Sequence, residues 1–159
     1  MVKAVYPGSF DPITNGHLEV LKRALSIFDE VVLLLAINPT KQSRFTVKER
    51  LEMMKEATKD IKGVTVDFTE GLSVDYCQKH RAKHLIRGLR AVSDFEYEFS
   101  LAAANEYANP DIDMVFFMAR HEEQFVSSTV IGELYKNGVD VSRLVPLCVL
   151  PYLKKKFNN

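Results

Sequence analysis

Cysteine is scarce in this chain of 159 residues. Only Cys77 and Cys148 occur, without the spacing of metal ligands, and one sparse pair builds no disulfide framework. Both read as buried or half-buried thiols in a reducing compartment. An excess of charge is missing as well, because 21 lysines and arginines are balanced by 21 aspartates and glutamates. A chain without a global field does not gather nucleic acid or an anionic membrane without sequence preference, so any anion site must be local. Long hydrophobic runs are also lacking. The longest aliphatic stretch, residues 31–37, is far too short to span a bilayer, and Met1 leads into a strand with no apolar signal core, so the expected location is the cytoplasm. No linker, repeat or low-complexity segment interrupts the chain. What is present is 47% hydrophobic residues, enough for a sizeable core, and residues 1–159 read as a single domain.

Apolar strand-like runs alternate with helical periodicity. Residues 2–6 read as a strand, and Leu18, Leu21, Leu25 and Phe28 then recur at three- and four-residue steps. Residues 31–37 suit a strand buried on both faces and stop at the polar residues 38–41. Thr46 and Glu49 form a capping box for a helix running to about Lys59. Strands are predicted at 64–68, 84–86 and 114–118. Helices are predicted from Ser73 to about Arg81, from a cap at Ser93 or Asp94 to Asn109, and from near Ser127 to Asn137, with two short ones at 141–146 and 151–157. Five such alternations predict an α/β, Rossmann-like fold, a five-stranded parallel sheet with helices on both faces and right-handed crossovers. Ligands of such sheets bind beyond the carboxyl ends of the strands. Residues 9–17, 38–41, 71–73, 87–90 and 123–129 all follow predicted strand ends and should share one rim.

Three clusters on that rim carry chemistry. Residues 7–17, P-G-S-F-D-P-I-T-N-G-H, join a strand to a helix through a turn suited to holding phosphate. Thr14 is a candidate N-cap that puts His17 at the third helical position, beside free N–H groups and the positive end of the helix dipole. The bland alternative is a capping threonine with a first-turn surface histidine. Arg87 and Arg90 flank Gly88, and two guanidinium groups set this way suit separate phosphates; a surface ion-pair cluster with Asp94, Glu96 or Glu98 is the alternative. Ser127, Ser128 and Thr129 open a helix whose hydroxyls and amides can hold phosphates, or they are a plain cap.

Residues 7–17 resemble the T/H-x-G-H signature of the nucleotidyltransferase superfamily. Together with residues 86–98, I-R-G-L-R-A-V-S-D-F-E-Y-E, and the serine-rich helix start, they are similar to bacterial phosphopantetheine adenylyltransferases over about residues 3–153. The resemblance implies transfer of the adenylyl group of ATP to 4'-phosphopantetheine, giving dephospho-coenzyme A and pyrophosphate in coenzyme A biosynthesis. It implies Ser9 and the Phe10 amide on phosphates, His17, Lys41 and Arg90 at the reacting centre, and Arg87, with Ser9 and Lys41, on the phosphopantetheine phosphate. Gly88, Leu89, Arg90 and Glu98 would hold ATP with Glu123, Gln124, Phe125, Val126, Ser127, Ser128 and Thr129. Leu72, Ser73, Asn105 and Glu133 match positions lining the pantetheine arm. A homohexamer and feedback inhibition by coenzyme A are implied as well. The chain departs from the family pattern at Glu123–Gln124, in the adenine loop, and at Ser73, on the pantetheine arm.

The residue types suit the reaction. A phosphate nucleophile is anionic near neutral pH and needs no general base, so the protein's task is positioning and stabilising charge around the α-phosphorus. No Ser-His-Asp set or nucleophile elbow suggests a covalent intermediate. Mg2+ is expected to arrive with ATP, since no carboxylate cluster or D-x-D pair stands ready to hold it, and no protein metal ligand is assigned. Rival readings are an adenylyltransferase acting on nicotinamide mononucleotide or glycerol phosphate, against which residues 86–98 argue, and a non-catalytic module sensing ATP or coenzyme A. A synthetase domain acting on tRNA is disfavoured by the short, charge-balanced chain and the lack of a K-M-S-K-S segment.

Overall fold

Residue alternation along the strands sorts side chains into two cores. In the computed structural model, which describes residues 1–120 and 127–158, the strands are β1 (Lys3–Gly8), β2 (Glu30–Ala36), β3 (Val64–Thr69), β4 (His84–Leu89) and β5 (Asp113–Met118). Val31, Leu33 and Leu35 of β2 join Ala4, Tyr6 and Ile86 in the larger core, while Val32 and Leu34 join Val5 and Leu85 in the smaller one. Each fully buried leucine contributes about 1.5–3 kcal/mol. With both faces covered, β2 has no position for a polar residue between its ends.

Six helices connect and flank the strands among the described residues: α1 (Asn15–Ala24), α2 (Val47–Thr58), α3 (Ser73–Lys79), α4 (Val92–Ala108), α5 (Ser128–Lys136) and α6 (Leu150–Phe157). All strand pairs are parallel and the sheet order is β3-β2-β1-β4-β5. The chain builds outward from β1 to β3 and then crosses to the other side of β1, so the reversal of order falls between β1 and β4. At that point the pairing is short. β1 matches β2 over six residues but β4 only at Ala4↔His84 and Val5↔Leu85. The carboxyl ends of β1 and β4 therefore part and leave a crevice, as expected where strand order reverses.

Several local expectations hold. Thr14 caps α1 and Thr46 caps α2, each as a capping box. Ser127 caps α5 by accepting from the Val130 N–H, and Asn137 with Gly138, at φ 77°, closes it. Cys77 is buried and its thiol is pushed up to about 12 by burial, and Cys148 is half-buried. No helix among the described residues is long and apolar enough to cross a membrane.

Three expectations are corrected. β4 runs on through Leu89 instead of stopping at Ile86, because Gly88 and Leu89 pair with Phe117 and Met118. Arg87 and Gly88 are thus strand residues, not turn residues. α4 is capped by Ala91 with no side-chain hydrogen bond, and neither Ser93 nor Asp94 is the cap; the Asp94 carboxylate accepts from the Arg90 N–H at 3.1 Å instead. Residues 141–146 form turns, one of them closed by the Leu144 N–H donating to the Val141 carbonyl at 2.9 Å, and regular helical structure starts only at the 3-10 turn Leu147–Val149 ahead of α6.

Candidate active site

A cavity of about 300 Å³ opens between the parted ends of β1 and β4 and the first turns of α1 and α5. Its lining includes Gly8, Ser9, His17, Arg87, Gly88 and Arg90, together with Ser127, Ser128 and Thr129. Three of the five predicted rim segments thus share one cavity.

Local chemistry explains the turn after β1. Pro7 lies in a strand, yet its missing N–H costs no ladder bond. The N–H and C=O of one strand residue point to the same side, and the Pro7 carbonyl faces the parted β4 edge, where it accepts from Arg87 Nη1 at 3.2 Å. Gly8 has no side chain because the Phe10 ring occupies that space; a Cβ there would lie 3.0 Å from the ring. Phe10 itself adopts φ 40°, a strained value for a bulky residue that costs on the order of 1–3 kcal/mol. The residue as a whole is only 1% exposed, and its ring meets Tyr6 and His17 edge-on at centroid distances of 5.6 and 4.9 Å.

His17 is fixed in one tautomer. The Thr14 N–H donates to Nδ1 at 3.0 Å, and the His17 N–H donates to Thr14 Oγ1 at 3.2 Å. An Nδ1 that accepts has no proton, so neutral His17 carries its proton on Nε2, the nitrogen left to face a ligand. Burial, and then the positive charges of Arg90 and Arg87, push its pKa down to about 4. The positive end of the α1 dipole also disfavours an imidazolium, but burial is the larger cause of the neutral state.

Arg87 and Glu98 form a forked pair across β4 and α4. Glu98, the buried residue of that helix, accepts from Arg87 Nε at 2.9 and 3.1 Å and from Nη2 at 2.6 Å. Burial alone would lower the Arg87 pKa, but the Glu98 carboxylate outweighs it and raises it, so the guanidinium stays charged. Arg90 lies 3.3 Å through Nε from the Asp94 carboxylate. The ion-pair cluster anticipated as an alternative is therefore real, and it sits inside the cavity rather than apart from it.

The remaining predicted residues fall elsewhere. Lys41 is exposed on the loop after β2, at the carboxyl end of that strand but outside the cavity lining. Leu72 is exposed and Ser73 opens α3, both beyond the end of β3. Leu89 has a buried side chain and offers only backbone, and its carbonyl accepts from the Ala119 N–H at 2.7 Å. Asn105 contacts the Met114 sulfur through Nδ2 at 3.4 Å, and Glu133 is exposed on α5. Glu123, Gln124, Phe125 and Val126 lie outside the described residues.

Sequence reasoning assigned no role to three residues that build the turn. The Asp11 carboxylate accepts from the Arg44 and Phe45 N–H groups at 2.7 and 2.9 Å. Arg50 is 4% exposed and donates through Nη1 to the Ser9 carbonyl at 3.0 Å, which sets a buried cation beneath the turn. Both arginines read as ordinary surface charges ahead of and within a helix, and only contacts tens of residues away distinguish them.

Comparison with known proteins identifies the family. Residues 5–134 match the cytidylyltransferase-like family model. The phosphopantetheine adenylyltransferase of Syntrophus aciditrophicus is 51% identical over 97% of this chain and 93% of its own length. Those of Dictyoglomus thermophilum and Caldanaerobacter subterraneus subsp. tengcongensis are 46% and 43% identical, covering 99% and 97% of this chain and 96% of each relative.

Proposed function

Since this chain belongs to the phosphopantetheine adenylyltransferase family of cytidylyltransferase-like proteins, we propose that it transfers the adenylyl group of ATP to 4'-phosphopantetheine, a step of coenzyme A biosynthesis. The observation that carries this is the meeting of neutral His17, charged Arg87 and Arg90, and the hydroxyl-rich start of α5 in one crevice at the point where strand order reverses. A phosphate oxygen of phosphopantetheine attacks the α-phosphorus of ATP in line. The bond from that phosphorus to the bridging oxygen breaks, and pyrophosphate leaves with the electron pair.

Arg87, held by Glu98, binds the acceptor phosphate. His17 Nε2–H and Arg90 donate to oxygens around the α-phosphorus, where negative charge builds in the transition state. The Ser127 and Thr129 hydroxyls, with the free Ser128 and Thr129 amides at the start of α5, take the β- and γ-phosphates, while the Ser128 hydroxyl is spent on the Pro12 carbonyl, and Lys41 reaches the centre from the β2 rim. Magnesium enters with ATP as part of the substrate. No group of three or more potential ligands is present among the described residues, and the cavity carboxylates Asp94 and Glu98 are engaged by arginines.

Coenzyme A shares the adenosine and pantetheine arm of the product and is the expected feedback inhibitor at or near this site. Assembly as a homohexamer is supported by α4, which leaves Val92, Phe95, Tyr97, Phe99 and Tyr107 exposed. Placement in the cytoplasm accords with the absence of a membrane-spanning helix among the described residues.

Pyrophosphate release with ATP, magnesium and a choice of acceptor tests the assignment. Release is expected with 4'-phosphopantetheine and not with nicotinamide mononucleotide. Release with nicotinamide mononucleotide alone would replace the substrate assignment, and ATP binding without release for any acceptor would favour the sensing module.

A further inference from the structure

Arg44 lies outside the cavity, yet it touches both halves of the site. Its backbone N–H and that of Phe45 donate to Asp11 in the turn after β1, at 2.7 and 2.9 Å. Its guanidinium crosses to the first turn of α5, donating through Nη1 to the Ser128 carbonyl at 2.5 Å and through Nη2 to the Thr129 carbonyl at 3.1 Å. Ser128 Oγ closes the circuit by donating to the Pro12 carbonyl at 2.9 Å. Three segments far apart in sequence are thereby joined: the turn carrying Ser9 and His17, the loop carrying Lys41, and the helix start carrying Ser127–Thr129.

A second observation fixes where the guanidinium lies. Gly132 sits inside α5, where glycine is a poor helix former. A Cβ at that position would come within 2.9 Å of Arg44 Cζ, 3.1 Å of Nε and 3.2 Å of Nη1. The glycine thus provides the seat over which the guanidinium passes to the two carbonyls. A side chain there would displace the flexible end of Arg44 and leave the helix backbone intact.

We propose that Arg44, seated on Gly132, is a positioning residue that locks the Lys41 loop and the first turn of α5 to the turn after β1, so that the groups acting on the two ends of the ATP polyphosphate keep a fixed separation. This rests on the adenylyl-transfer function proposed above. Arg44 acts through Lys41 and the α5 hydroxyls, since misplacing reacting groups by a fraction of an ångström to an ångström is costly in phosphoryl chemistry.

The test is a double-mutant cycle on the full chain with R44M, R44K, G132A and the R44M/G132A pair. Turnover with ATP, magnesium and 4'-phosphopantetheine is measured beside hydrogen exchange at residues 38–46 and 128–132. R44M and G132A are each expected to lower kcat about tenfold, with smaller changes in KM, and to raise exchange in both segments together. G132A should keep or raise the melting temperature, because alanine favours the helix, which separates lost positioning from lost stability. The pair should be no worse than either single variant, and R44K should recover part of the turnover, since one ammonium reaches one carbonyl but not both. Additive losses in the pair, or unchanged exchange in both segments, would overturn the lock. Wild-type protein that makes no dephospho-coenzyme A would overturn the functional reading instead, and the exchange data would still judge the lock.

Discussion

Replacing His17 with alanine is expected to lower kcat by roughly two to three orders of magnitude while ATP affinity changes by only a few fold, because the lost donor acts on charge that builds in the transition state. Nδ1 is occupied by the Thr14 N–H, so Nε2–H is the donor removed. Steady-state kinetics together with ATP titration checks this, and equal losses in turnover and affinity would remove the transition-state role.

Protonation gives an independent check on His17. Its pKa is displaced from 6.5 to about 4, so the imidazole should stay neutral through the physiological range, and an NMR titration of the ring should place its transition near the lower value. The sign for stability follows from linkage. Above about 6.5 neither the folded nor the unfolded histidine binds the proton. Between 6.5 and about 4 only the unfolded chain does, so the contribution of this group to stability declines as pH falls through that window. Below about 4 both states are protonated and the decline ends.

Arg87→Ala is expected to destabilise the fold by about 3–5 kcal/mol, because it strands the buried Glu98 carboxylate without its partner. Urea denaturation reads this directly. Replacing both members with apolar residues of similar volume should recover most of the loss, since the penalty lies in the unpaired charge. On the functional side, Glu98→Gln keeps the shape but removes the charge that orients the guanidinium. KM for 4'-phosphopantetheine should then rise roughly ten- to a hundredfold and more than KM for ATP. The opposite order would return Glu98 to the ATP-holding role implied by family resemblance.

The parts of the fold readable from sequence are those governed by neighbouring residues. The caps at Thr14, Thr46 and Ser127 need only three or four residues to form, and the unbroken apolar run of β2 reports burial on both faces by itself. The misread places are those where distant pairing overrides local chemistry. Gly88 reads as a turn residue, but pairing with Phe117 keeps it in β4. Asp94 reads as a cap, but it is spent on Arg90. The crevice was legible in outline because loops after parallel strands must share one rim. Its bracing was not, because Asp11 with Phe45, Arg50 with Ser9 and Arg44 with Ser128 join residues 34, 41 and 84 positions apart. Lys41 shows the same limit, being on the rim but outside the cavity lining.

The central claim is that this crevice positions two phosphates for one direct displacement and forms no bond of its own to the adenylyl group. Supplying ATP made chiral at the α-phosphorus and determining the configuration of the dephospho-coenzyme A formed tests it most directly. One in-line displacement predicts inversion at that phosphorus. Retention would require two displacements through an adenylylated side chain and would contradict the account.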